Sequence, residues 1–165
     1  MNNRTSDIIS LEEAGTLAGA FRERVRRSPD RTAYLQHDGE SGWCRYSWRE
    51  TAGMAAAYQA ALRAEGLEAG DRIAILCANR LEWVLFDQAA LGMGLVTVPL
   101  YTNDRAENIA YILANAGVRL LVVENREQWL ALSAIDRELT RLARIISIEP
   151  VGEDRGCPLS NSGSG

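Results

Sequence analysis

Asp71-Arg-Ile-Ala-Ile-Leu-Cys77 is a near-continuous apolar run of strand length, with none of the polar alternation of a half-solvated strand. Such a run suits a strand buried on both faces, as in a parallel sheet. The chain around it keeps one rhythm. Asn79 is placed to cap a helix from Arg80 to about Leu91, and Leu95-Val-Thr-Val98 reads as the next strand. Ala106 to Ala116 is the next helix, with Gly117 as its cap, and Leu120-Leu-Val-Val123 the next strand. Glu127 to Leu142 and Arg144-Ile-Ile-Ser-Ile148 supply a last helix and strand. Short connections between continuously hydrophobic strands predict an α/β fold. It is a three-layer arrangement, a parallel sheet with flanking helices and right-handed crossovers.

Upstream of Asp71 the pattern differs. Ser10 followed by Glu13 is a capping-box pattern, and Leu17, Ala20, Phe21 and Val25 recur at helical spacing until Ser28-Pro29. Thr32-Ala-Tyr-Leu-Gln36 and Trp43-Cys-Arg-Tyr46 read as two strands of a hairpin joined through the turn residues His37-Asp38-Gly39. Ser47 with Glu50 repeats the capping box before an alanine-rich helix to Glu65, where Gly66 suits the position after the helix end. The parallel sheet is thus preceded by a helix and a β-hairpin. The expected organisation is a flexible N-terminus over 1–9, an α/β subdomain over 10–149 and a disordered, Gly/Pro/Ser-rich tail over 150–165.

Composition excludes several functions. The chain has 165 residues, enough for a real core, and 47% of them are hydrophobic. Its net charge is -4 with both signs interspersed, so no basic stripe is available for nucleic acid. Arg22, Arg24, Arg26 and Arg27 read as a solvated helix face near a C-terminus, where cations suit the helix dipole. All eighteen positive charges are arginine; lysine is absent. Cys44, Cys77 and Cys157 have no metal-ligand spacing, and Cys77 reads as a small core residue. No apolar run has the length of a signal peptide core or a transmembrane segment, and the pattern is cytosolic.

Parallel sheets bind ligands beyond the carboxyl ends of their strands, near a switch point. That directs attention to Ala78-Asn79-Arg80, to Pro99 through Asn103, and to Glu124-Asn125. Gly92-Met-Gly94 precedes a strand rather than following one and lacks a third glycine, so it ends a helix and permits close packing on the sheet. Ser162-Gly-Ser-Gly165 has no strand before it, no helix after it and no lysine, and is read as a flexible end. Glu12-Glu13 and Glu153-Asp154 suit a helix's first turn and a loop. His37 has no nucleophile beside it. Trp48, Trp83, Trp129 and Tyr111 fall at helix positions as core or interface anchors. No catalytic, cofactor-binding or metal-binding residue is identified.

Five segments in order resemble the N-terminal region of the adenylate-forming (AMP-binding) acyl-CoA synthetases, in particular long-chain fatty-acid CoA ligases. They are Tyr46-Ser-Trp48, Gly70-Asp-Arg-Ile-Ala-Ile75, Asn79-Arg-Leu-Glu-Trp83, Gly94-Leu-Val-Thr-Val-Pro-Leu-Tyr101 and Asn108-Ile-Ala-Tyr-Ile-Leu113. Their register covers roughly residues 10 to 150. The resemblance implies a two-step reaction. A fatty acid and Mg-ATP give an acyl-adenylate and pyrophosphate, and the CoA thiol then displaces AMP.

The resemblance places the phosphate loop with its lysine, the adenine and ribose motifs and the catalytic lysine of a mobile C-terminal domain beyond the segments present here. No catalytic residue is therefore carried onto this chain. ATP, Mg and CoA are implied for the full-length family and no cofactor for the chain alone. Two readings stay open. In one, the chain is the N-terminal piece of such a ligase, inert alone, cytoplasmic or membrane-associated as a whole enzyme, with the remainder of the synthetase as its partner. In the other, it is a free-standing binding or assembly module, pairing with a synthetase or dimerising through an exposed sheet edge. A lobe cut from a larger sheet should also self-associate through exposed apolar surface.

Overall fold

The computed structural model describes residues 7–39, 42–133 and 142–149; the expected tail over 150–165 and most of the expected flexible N-terminus lie outside them. The parallel layer holds the core. Its strands are β3 (Arg72–Leu76), β4 (Val96–Leu100), β5 (Leu120–Val123) and β6 (Arg144–Ser147), paired in parallel in the order β4-β3-β5-β6. The register sets Ile75 opposite Pro99 on one side and Val122 on the other.

Because side chains alternate along a strand, the continuous apolar runs feed two separate cores. Ile73, Ile75, Leu120 and Val122 face α3 (Trp48–Ala64) and α4 (Leu81–Met93), meeting Leu62, Phe86 and Ala90. Ala74, Leu76, Leu121 and Val123 face the other way, toward Ile109 and Leu113 of α5 (Ala106–Ala116) and Leu132 of α6 (Arg126–Ser133). Two helical layers on one sheet are the predicted three-layer fold.

Ahead of the sheet lie α1 (Leu11–Ala14), α2 (Leu17–Arg27) and an antiparallel hairpin of β1 (Thr32–His37) and β2 (Trp43–Ser47). Both capping boxes form. Ser10 and Ser47 each accept the N–H of a glutamate three residues on, and that glutamate's carboxylate accepts the serine N–H. Trp48 joins the parts, stacking edge-on against Phe21 and packing beside Tyr34. Three of the four arginines of α2 are ion-paired: Arg24 with Asp7, Arg26 with Glu23, and Arg27 with both Glu13 and Glu23. Hydrogen bonds from Arg26 and Arg27 hold the Glu23 carboxyl down at about 2.

Several local expectations need correction. The first helix is two, because Gly15 turns to φ +63° and Thr16 starts afresh as a cap for α2. Asn79 is not the cap of α4; Arg80 holds that position with no side-chain cap bond, and the orphan Leu81 N–H instead donates to Gln36 of β1. Pro99 does not end β4, which continues to Leu100. Only an edge strand tolerates a proline in its ladder, and β4 is one.

Gly94 does end α4 in the left-handed region, but Gly92 packs the helix on α3 rather than on the sheet: a Cβ there would lie 2.5 Å from Gln59 Nε2. Tyr111 points outward at 69% exposure, on the face of α5 opposite Ile109 and Leu113. The last helix begins one residue early, at Arg126, and Leu142 is not helical; its stretch 134–141 lies outside the described residues.

Candidate functional site

The strand order fixes where a ligand crevice can open. From β3 the chain passes to β4 on one side, then crosses back over β3 to β5 on the other. The switch point therefore lies between the carboxyl ends of β3 and β5. The loops there are Cys77 to Arg80 and Glu124-Asn125, two of the three named from the sequence. The third, Pro99 through Asn103, sits at the edge, where Tyr101 is 84% exposed.

The crevice is bridged. Glu124 Oε2 accepts the Ala78 N–H at 2.9 Å, while its Oε1 accepts from Arg80 Nη1 at 3.3 Å. Arg80 also donates through Nε to Glu82 at 2.7 Å and lies 3.7 Å from Glu149, just past β6. One guanidinium thus gathers carboxylates from α4 and from the ends of β5 and β6. Burial works against its charge, but Glu82 and Glu124 more than offset that and raise its pKa. Gln128 finishes the corner by accepting the Glu124 N–H at 2.8 Å.

Three carboxylates on one cation leave this edge net negative. A polyphosphate needs free N–H groups and spare positive charge. Here the Ala78 N–H and the Arg80 guanidinium are already engaged, so the described residues do not fit such a ligand. Among them no cluster of His, Cys, Asp or Glu is arranged to hold a metal ion. No described helix is long and apolar enough to cross a membrane.

Cys77 lies beside this cluster, buried, with its Sγ 3.1 Å from the Ala78 carbonyl. Burial first, then Glu124 and Glu82, push its thiol up to about 12, with Arg80 opposing. It is a core residue, not a nucleophile. A variant with Cys44 and Cys157 replaced by serine should leave Cys77 unreactive toward a disulfide reagent at pH 8 until denaturant is added. Rapid labelling of the native form would show that the switch-point loops open.

The sequence reading named the loops, and Arg80 and Glu124 within them, but not the bridge these residues form or its partners Glu82 and Glu149. Arg80, Glu82, Glu124 and Glu149 are ordinary surface types, spread over 70 positions, and only the parallel register brings them together. The available signal was slight: Glu124 directly follows the fully apolar β5, and Arg80 comes four residues after β3. His37 is not in the turn but is the last residue of β1, opposite Trp43, with its Nδ1 accepting the Gly39 N–H.

Known proteins share this fold and this sequence pattern. A fatty acyl CoA synthetase from Mycobacterium tuberculosis superposes with a TM-score of 0.72 at 22% identity, over 82% of this chain and 27% of that one. A putative long-chain-fatty-acid CoA ligase from Rhodopseudomonas palustris superposes at 0.69 with 26% identity, covering 86% and 34%. Among curated proteins, the long-chain-fatty-acid–CoA ligase FadD15 of Mycobacterium bovis is 28% identical over 156 residues, 94% of this chain but 26% of its own length. The chain therefore spans about a quarter of that relative. A shorter relative is the uncharacterised protein Rv1549 of Mycobacterium tuberculosis, 26% identical over 124 residues, which are 75% of this chain and 69% of Rv1549. The profile of the AMP-binding enzyme family matches residues 21–162, most of the chain, which therefore belongs to that family.

Proposed function

We propose that this chain is the N-terminal part of a long-chain fatty-acid CoA ligase. Its role is to supply the first parallel sheet, with its two helical layers, on which the rest of the enzyme is built. The observation that carries this is the coverage: nearly the whole chain aligns with FadD15, yet only with about a quarter of it. The whole enzyme would convert fatty acid, ATP and CoA to acyl-CoA, AMP and pyrophosphate through an acyl-adenylate, using Mg. The chain alone is inert in this reading, since its switch-point crevice is bridged and net negative and it has no lysine.

The test is fatty-acid-dependent ATP–pyrophosphate exchange. The purified chain should give no exchange above a heat-killed control, and reproducible exchange would overturn the account of the site. A second reading has its own support in Rv1549, a short relative most of whose length this chain matches. There the domain works as a free-standing binding or assembly module, with a partner covering apolar side chains such as Leu11 and Trp43. Immunoblotting source cells with an antibody to this chain separates the two. A band several times heavier supports the ligase reading, and a band at the mass of the chain supports the module.

A further inference from the structure

On the outer helical layer, away from the switch point, α2 does not close onto α3 and α4. Phe21 and Val25 of α2, Ala52 and Ala56 of α3 and Ala89 of α4 line a cleft of about 390 Å³. That is within the range of small-molecule clefts, about 300–1,000 Å³. Its position follows from the topology. α4 leaves the carboxyl end of β3, so its last turns, with Ala89, lie toward the opposite edge of the sheet.

Three observations bear on the occupant. The walls are mainly methyl groups and one aromatic ring, which offer dispersion contacts to an alkyl chain, with the amides of Gln59 and Gln88 between them. Gln88, also in the lining, has its Oε1 buried without a hydrogen bond, so the seam between the helices is unfinished here. Finally, the cations in the lining are Arg22 and Arg63. Unlike their neighbours Arg24, Arg26 and Arg27, which are ion-paired, neither makes an ion pair among the described residues. No carboxylate lines the cleft. An apolar slot with two unspent cations complements a tail joined to an anion.

We propose that the cleft between α2, α3 and α4 is a binding site for a single-chain anionic amphiphile, its alkyl tail along the alanines and its head group at Arg22 and Arg63. The proposal goes beyond the ligase reading and does not depend on it. It makes the outer layer a second lipid-responsive surface, far from the chemistry.

The test is calorimetric titration of the 165-residue chain with monomeric dodecanoate and, in parallel, with dodecylammonium, which has the same tail and the opposite charge. Saturable one-to-one binding of dodecanoate, weaker by about tenfold for dodecylammonium, is expected. Ala56 is exposed, so Ala56→Trp can fill the cleft from outside without burying new polar groups, and a thermal melt checks its fold. It should weaken dodecanoate binding at least tenfold. The double variant Arg22→Glu, Arg63→Glu should lower dodecanoate affinity by about tenfold, the scale of reversing two exposed charges, and narrow the preference between head groups. Absence of saturable binding would overturn the proposal. So would equal affinity for both head groups, or unchanged binding by a folded Ala56→Trp protein.

Discussion

Ile75→Ala is expected to lower the unfolding free energy by about 3 kcal/mol or more, the usual cost of removing a large aliphatic side chain from a core that cannot collapse. Ile75 has no exposed surface. It sits on the central strand, bonded on both sides, under a layer that includes Leu62, Phe86 and Ala90. The backbone is fixed by two ladders and the helices by each other, so the vacated volume stays open. Domains of this kind have about 5–15 kcal/mol of stability in all, and the variant should therefore unfold at a much lower urea concentration with a similar slope. Val96→Ala on the edge strand, where Val96 is 48% exposed, should cost less than about 1 kcal/mol. Equal shifts in the two variants would mean that the α3–α4 layer is not closed over β3.

Arg80→Met should cost about 2–3 kcal/mol at neutral pH, somewhat less than breaking a fully buried pair because the side chain is about a quarter exposed. Methionine keeps the apolar stem and removes the charge. Glu82, Glu124 and Glu149 are then left facing one another, each having lost its cation. Salt should narrow the gap between variant and parent, since it screens both the attraction to Arg80 and the repulsion left behind. Urea melts of both proteins at low and at high salt check this. A gap that stayed constant would show that Arg80 acts through packing and not through charge.

The parallel layer was legible because its physics is local. A strand buried on two faces must be apolar throughout, and Arg72–Leu76 and Leu120–Val123 are nearly or wholly so. The ends of α5 were readable for a similar reason, since Gly117 takes φ +61° in the left-handed region. What escaped was set by distant partners. Asn79 looked like a cap for α4, but the bond comes from Gln36, 45 positions away. Pro99 looked like a strand end because nothing local says that β4 lies at an edge. The acidic bridge at the switch point was invisible for the same reason, as it exists only once β3 and β5 are neighbours. The family resemblance supplied the architecture and ran through Arg80 and Glu82, but gave neither a role.

The Gln36 cap also bears on the order in which the nascent chain can acquire structure. A two-stranded hairpin is marginal by itself in water. This one leaves the ribosome before α4 exists, so while Leu81 is still being threaded its Gln36 has no partner. The central strand waits longer still, since both its neighbours, Val96–Leu100 and Leu120–Val123, are made after it. The early part of the molecule is therefore synthesised without its anchor on α4, held only by contacts such as those of Trp48 with Phe21 and Tyr34. Both ladders of β3 can close only once residue 123 has been made, and until then its apolar run is the stretch a chaperone would find.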